Sequence, residues 1–266
     1  MPRPPLRTRG WLVAPVSALL VALLAACSEA APDPAPTTPR ASTVTPSPTP
    51  SPAPAPDDSA AAVRRDGTPV TSEAVTLTVR ATPPGTVIPV PQDDGSVRAT
   101  FPAVPPQDRT VAVVAAPEGA VWDVLSDGTA VVRDAAGTLL AGVTPTGGRL
   151  QPVDDEVAAL VVPDPGATGV ELWVATVAVE DADWGEREGG RSLAVTPSAW
   201  ARAGGLAAEA AVREQLVSLE PEAGTPTMQA QLACHELGAP DKATWNLEPW
   251  RPDVGPLDML AARCNP

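Results

Sequence analysis

 The chain has 266 residues, with 35 Pro and 20 Gly, and its aromatic residues are seven Trp and one Phe, with no Tyr. Pro and Gly together make about one residue in five, against roughly one in eight ordinarily. Lys and Arg number 18 and Asp and Glu 32, a formal charge of −14. Such a balance excludes a nucleic-acid binder, which needs a basic face to neutralise phosphates. One His and three Cys leave little material for zinc sites or histidine-based catalysis.

Residues 1–10 carry Arg3, Arg7 and Arg9 and no acid, and residues 11–26 carry no charge. A basic stretch, an apolar stretch and small residues before a cut describe a secretory signal peptide over 1–26. The apolar run is 16 residues and is interrupted by Pro15, short of the roughly 20 needed to span a bilayer. Leu24-Ala25-Ala26-Cys27 resembles the lipobox of bacterial lipoproteins. The resemblance implies cleavage just before Cys27 and a diacylglyceryl group on its thiol. It places the protein outside the cytoplasm, anchored to the outer face of the cell membrane through that lipid. With Cys27 lipidated, Cys234 and Cys264 remain as a pair, and outside the cytoplasm a pair is most simply a disulfide.

Residues 27–66 read as a disordered tether, with ten prolines in 32–56 among Ala, Ser and Thr. Extended at about 3.1 Å per residue, it would reach roughly 100 Å. Residues 67–195 read as a β-rich domain. Strands are predicted at 74–80, 96–101, 110–115, 120–125, 129–133, 138–143, 157–162 and 170–179. Asp127-Gly128, between two β-branched runs, is the strongest hairpin signal. Short strands with frequent turns predict an antiparallel β-sandwich or barrel, with Trp122 and Trp173 as its large fillers. The acidic stretch from Glu180 to Glu188 reads as a solvated turn, because its Asp-x-Asp start lacks the later Glu of a calcium loop.

Residues 196–266 read as a small helical domain tied by the disulfide. Thr196-Pro197 predicts a helix start, with a stop at Gly204-Gly205. Residues 206–219 contain no Gly or Pro, with Val212, Leu216 and Leu219 on one face and an i, i+4 Glu209–Arg213 pair on another. A further helix begins at Thr225-Pro226 and ends at Gly238, and a short one lies near 257–263. The fold class expected is therefore mixed, β and α: a sandwich or barrel-like domain, then a disulfide-tied helical domain.

The strings Trp245-Asn246-Leu247-Glu248-Pro249-Trp250-Arg251-Pro252-Asp253-Val254-Gly255 and Ala262-Arg263-Cys264-Asn265-Pro266 are similar to the actinobacterial secreted family known as domain of unknown function 2599. The similarity covers roughly the last 70 residues. It implies an exported protein of a high-GC Gram-positive bacterium and implies no activity. Trp245, Asn246, Glu248, Trp250, Arg251 and Asp253 are the candidate binding residues, since indole faces beside fixed polar groups can hold an envelope glycan or protein. The other reading is a loop packed onto its domain through the same indoles. There is no Gly-x-Ser-x-Gly elbow, no His-Glu-x-x-His and, with Lys242 the only Lys, no Ser-x-x-Lys pattern. No metal site and no cofactor is expected. The function read is a non-enzymatic binding or structural module of the envelope; a hydrolase working through paired carboxylates is the alternative.

Overall fold

A computed structural model describes residues 57–101, 109–163 and 168–266. The expected signal peptide, Cys27 and most of the tether lie outside the described residues. The tether reading ends too late: its last residues form helix α1 (Ala60–Asp66), whose first turn is capped by the Ser59 hydroxyl accepting from the Ala62 amide. Three alanines and a valine supply helix propensity and an apolar face, which sequence composition alone merged with the Pro/Ala run before it.

Eleven strands follow: β1 (Thr68–Ser72), β2 (Val75–Ala81), β3 (Ile88–Pro91), β4 (Val97–Thr100), β5 (Thr110–Ala115), β6 (Val121–Val124), β7 (Ala130–Arg133), β8 (Leu139–Thr146), β9 (Arg149–Pro152), β10 (Val157–Val161) and β11 (Glu171–Ala175). They build two antiparallel sheets, ordered β1-β2-β5-β10-β9 and β3-β4-β11-β8-β7-β6. Between them lies a core of Val, Leu and Ala with Trp122 as its indole. In β2, Leu77, Val79 and Ala81 are buried while Thr76, Thr78 and Arg80 alternate outward. The Asp127-Gly128 hairpin forms as expected: Asp127 Oδ1 accepts from the Thr129 amide and hydroxyl, and Gly128 takes φ +85°, which a side chain resists.

Two strands are apolar on both faces because both faces are covered. In β5, Ala112 and Val114 join the sandwich core, while Val113 and Ala115 pack with Ala60 and Val63 of α1. In β7, Ala130 and Val132 point inward and Val131 points into a second core.

That second core belongs to the C-terminal module: β12 (Val179–Arg187), β13 (Gly190–Pro197), α2 (Ala199–Arg202), α3 (Leu206–Leu219), a 3-10 turn at Pro221–Gly224, α4 (Pro226–Gly238), β14 (Trp245–Leu247) and α5 (Pro256–Ala261). The stretch expected as one strand at 170–179 is β11 and the start of β12. The acidic stretch expected as a turn is β12, the edge of a three-stranded sheet β12-β13-β14. Ala182 and Trp184 pack toward the second core, and acids such as Asp181 face solvent. Charge on an exposed edge deters pairing with other chains. Pro197 ends β13, so Ser198 caps α2 instead of Thr196, its hydroxyl accepting from the Ala201 amide.

α3 has the expected bounds, but its buried face is Ala207, Ala208, Ala211, Val212 and Leu216. Leu219 is 57 % exposed. Small residues bring α3 close to the sandwich, where the hairpin tip caps it: Asp127 Oδ2 accepts from the Leu206 amide at 2.8 Å and Thr129 Oγ1 from the Ala207 amide at 3.0 Å. Trp200 is fully buried over Gly142, where a Cβ would overlap its ring, and its Nε1 donates to Thr144 Oγ1. Trp173 fills this second core, not the sandwich interior; its Nε1 donates to Ser96 Oγ and Arg98 lies over its ring. Among the described residues, no helix is long and apolar enough to cross a membrane.

Candidate functional site

The candidate residues sit where β14 docks on β13, with Trp245 opposite Val195 and Leu247 opposite Leu193. Alternation turns Trp245 and Leu247 inward, both fully buried. Trp245 Nε1 donates to the Ala239 carbonyl. The loop before β14 is held by Arg202, which donates to the carbonyls of Pro240, Lys242 and Ala243. Between the two inward residues, the Asn246 carbonyl accepts from His235 Nε2 at 3.1 Å. His235 is buried on α4, and burial, then the nearby Lys242, pushes its pKa down to about 4. It is a neutral structural imidazole at physiological pH.

Glu248 and Arg251 form a buried ion pair, Arg251 Nε donating to Glu248 Oε2 at 2.5 Å. Gln231 of α4 brackets the Glu248 backbone: its Oε1 accepts from the Glu248 amide and its Nε2 donates to the Glu248 carbonyl, each at 2.9 Å. The rest of the Arg251 fork donates to Glu188 Oε2 at 2.6 Å and to the Pro266 backbone oxygen at 3.0 Å. One guanidinium thereby ties β14, the β12–β13 turn and the end of the chain. Trp250 is 45 % exposed; its ring covers Gly190 and its Nε1 donates to the Arg191 carbonyl. Asp253 is exposed.

The six candidates therefore do not make one surface. Trp245 is buried, Glu248 and Arg251 are paired inside, Asn246 acts through its backbone, and Trp250 and Asp253 reach solvent. Cys234 and Cys264 form the expected disulfide, joining α4 to the residues after α5, with Met259 packed beside it. Among the described residues, no group of three His, Cys, Asp or Glu is placed to hold a metal ion.

Sequence reasoning missed Glu236. It lies on α4 and lines a hollow of about 360 Å³ with Glu209, Gly204 and Gly205. Its Oε1 is buried without a hydrogen-bond partner. Burial, then the Glu209 charge, pushes its pKa up to about 8. Only its position beside buried His235 on a helix could have pointed to it.

An antiparallel sandwich carrying a disulfide-tied α/β module defines the class of protein. Within it, residues 179–266 match the family described as Protein of unknown function (DUF2599), so the C-terminal module is a DUF2599 domain. The match begins at the first residue of β12, not near Thr196. The chain is similar to uncharacterized proteins of Mycobacterium bovis and Mycobacterium tuberculosis, 42 % identical over 96 residues that cover 33 % of this chain and 65 % of each relative. A Mycobacterium leprae uncharacterized protein is 42 % identical over 55 residues, 19 % of this chain and 45 % of its own. The chain thus spans less than two thirds of these relatives. No solved structure matches.

Proposed function

We propose that the protein is a lipid-anchored module of a bacterial envelope, held to the outer face of the membrane through Cys27, and that its folded part binds or scaffolds an envelope glycan or protein. The observation that carries this reading is the cysteine pairing. Cys234 and Cys264 are joined, so Cys27 is the cysteine left over from the three, and it follows Leu24-Ala25-Ala26. A disulfide suits an oxidising compartment, which the basic and apolar N-terminal stretches also indicate. The Pro-rich residues 32–56 supply reach between anchor and folded part.

A carboxylate hydrolase finds less support. Glu248 is engaged by Arg251, and the same guanidinium takes Glu188. The test is labelled fatty acid fed to bacteria producing the full chain or Cys27→Ser. The wild-type chain should carry label and fractionate with membranes, and the variant should carry none. Equal labelling of both chains, or none on the wild type, would contradict the anchor.

A further inference from the structure

The end of the chain is joined to the rest of the module at few points. Within residues 254–266 only Met259 and Cys264 are buried. With Cys234 they form a small cluster apart from the module's core, against half-buried Ala230 and Val254. Leu257 and Leu260 of α5 are exposed. The backbone bonds of the segment stay inside it: the Met259, Ala262 and Cys264 amides donate to the carbonyls of Gly255, Asp258 and Met259. Among the described residues, the only N–H that reaches it from outside belongs to Arg251, which donates to the Asn265 and Pro266 backbone oxygens.

Those ties are too few to order the segment alone. A six-residue helix is marginal in water, and no side chain caps α5 at Gly255. Arg263 and Cys264 take φ +54° and +67°, a conformation that side chains resist. The bond between Cys234 and Cys264 holds this turn against α4. The rest of the module has its own supports. Met228, Gln231, Leu232 and His235 bury α4, and Arg251 keeps Glu248 and Glu188 whether or not the chain end stays in place.

We propose that the disulfide is a redox-sensitive latch: a dithiol reductant lets residues 254–266 open from α4 while the sandwich and the β12–β13–β14 sheet stay folded. The groove of about 220 Å³ between α4 and α5 is lined by Cys234. A thiolate of the reductant attacks Cys234 Sγ there, the S–S bond breaks, and Cys264 leaves as a thiolate that takes up a proton. The second thiol of the reductant then displaces Cys234 from the mixed disulfide, and Cys234 takes the second proton. Both electrons come from the dithiol, which ends as its own disulfide. Opening uncovers Met259 and the α4 residues beside it. The latch needs only this one bond and does not rest on the anchor at Cys27.

The test is hydrogen–deuterium exchange of the purified full chain at neutral pH, oxidised and after dithiothreitol, with peptide masses reporting the state of the Cys234–Cys264 bond. On reduction, the Met259, Ala262 and Cys264 amides should exchange at least about tenfold faster, while β5, β13 and α3 keep their rates. Reoxidation should restore the protection. Cys234→Ser/Cys264→Ser should match the reduced wild type and not respond to dithiothreitol. Three results would each overturn the proposal: a bond that dithiothreitol leaves intact in the folded chain, unchanged exchange over 254–266 after reduction, or equal acceleration through β13 and α3.

Discussion

The sandwich and the C-terminal module are held together by different means. The sandwich interior is small aliphatic side chains from two sheets, with one indole, Trp122. The module relies on large rings with polar anchors and on charge. Trp184 donates to Glu220, Trp200 to Thr144 and Trp245 to the Ala239 carbonyl, while Arg251 bridges Glu248 and Glu188. A small domain that encloses little apolar area gains from ties that fix its few contacts. The string that marks the family is therefore largely internal scaffolding.

That contrast can be broken most strongly at Arg251. Arg251→Ala strands the buried Glu248 carboxylate and should cost about 3–5 kcal/mol in chemical denaturation. Glu248→Gln/Arg251→Met should recover part of it. Removing the disulfide with Cys234→Ser/Cys264→Ser should cost roughly 3–4 kcal/mol, since it closes a loop of 30 residues. Gly142→Ala, which drives a methyl into Trp200, should cost about 1–3 kcal/mol and loosen the module from the sandwich.

The smallest effect expected is a pH dependence. The Glu236 pKa is raised from 4.5 to about 8, so its neutral form favours folding: that stability is complete below pH 4.5 and lost as pH rises through 8. The His235 pKa is lowered from 6.5 to about 4, so its contribution is complete above pH 6.5 and lost as pH falls through 4. The two cancel between pH 4.5 and 6.5. Glu236→Gln should remove the decline between pH 6.5 and 8 that the wild type shows in thermal unfolding.

Much of the fold was legible; β13, central in its sheet, was missed with the acidic stretch before it, and three further missed strands share a cause. β1, β3 and β9, absent from the expected strands, each contain proline, at Pro69, at Pro89 and Pro91, and at Pro152, a residue that weakens a strand signal. All three are edge strands, where an absent N–H need not face a neighbour. β12 was hidden because this edge strand carries Glu180, Asp181, Asp183 and Glu186 on its exposed positions, which in sequence read as a solvated turn. The helices of the module were legible because Gly and Pro punctuate them. The candidate stretch was legible as unusual but not as internal. Whether a Glu beside an Arg is solvated or buried depends on contacts with Glu188, Gln231 and Ser192, all distant in sequence.

The most direct test of that internal role compares two indoles five residues apart in the full chain by denaturant unfolding. Trp245→Ala should lose about 3–5 kcal/mol, as buried large-to-small changes do. Trp250→Ala, at the surface, should lose no more than about 1 kcal/mol. Equal losses, or a larger loss at Trp250, would contradict the account.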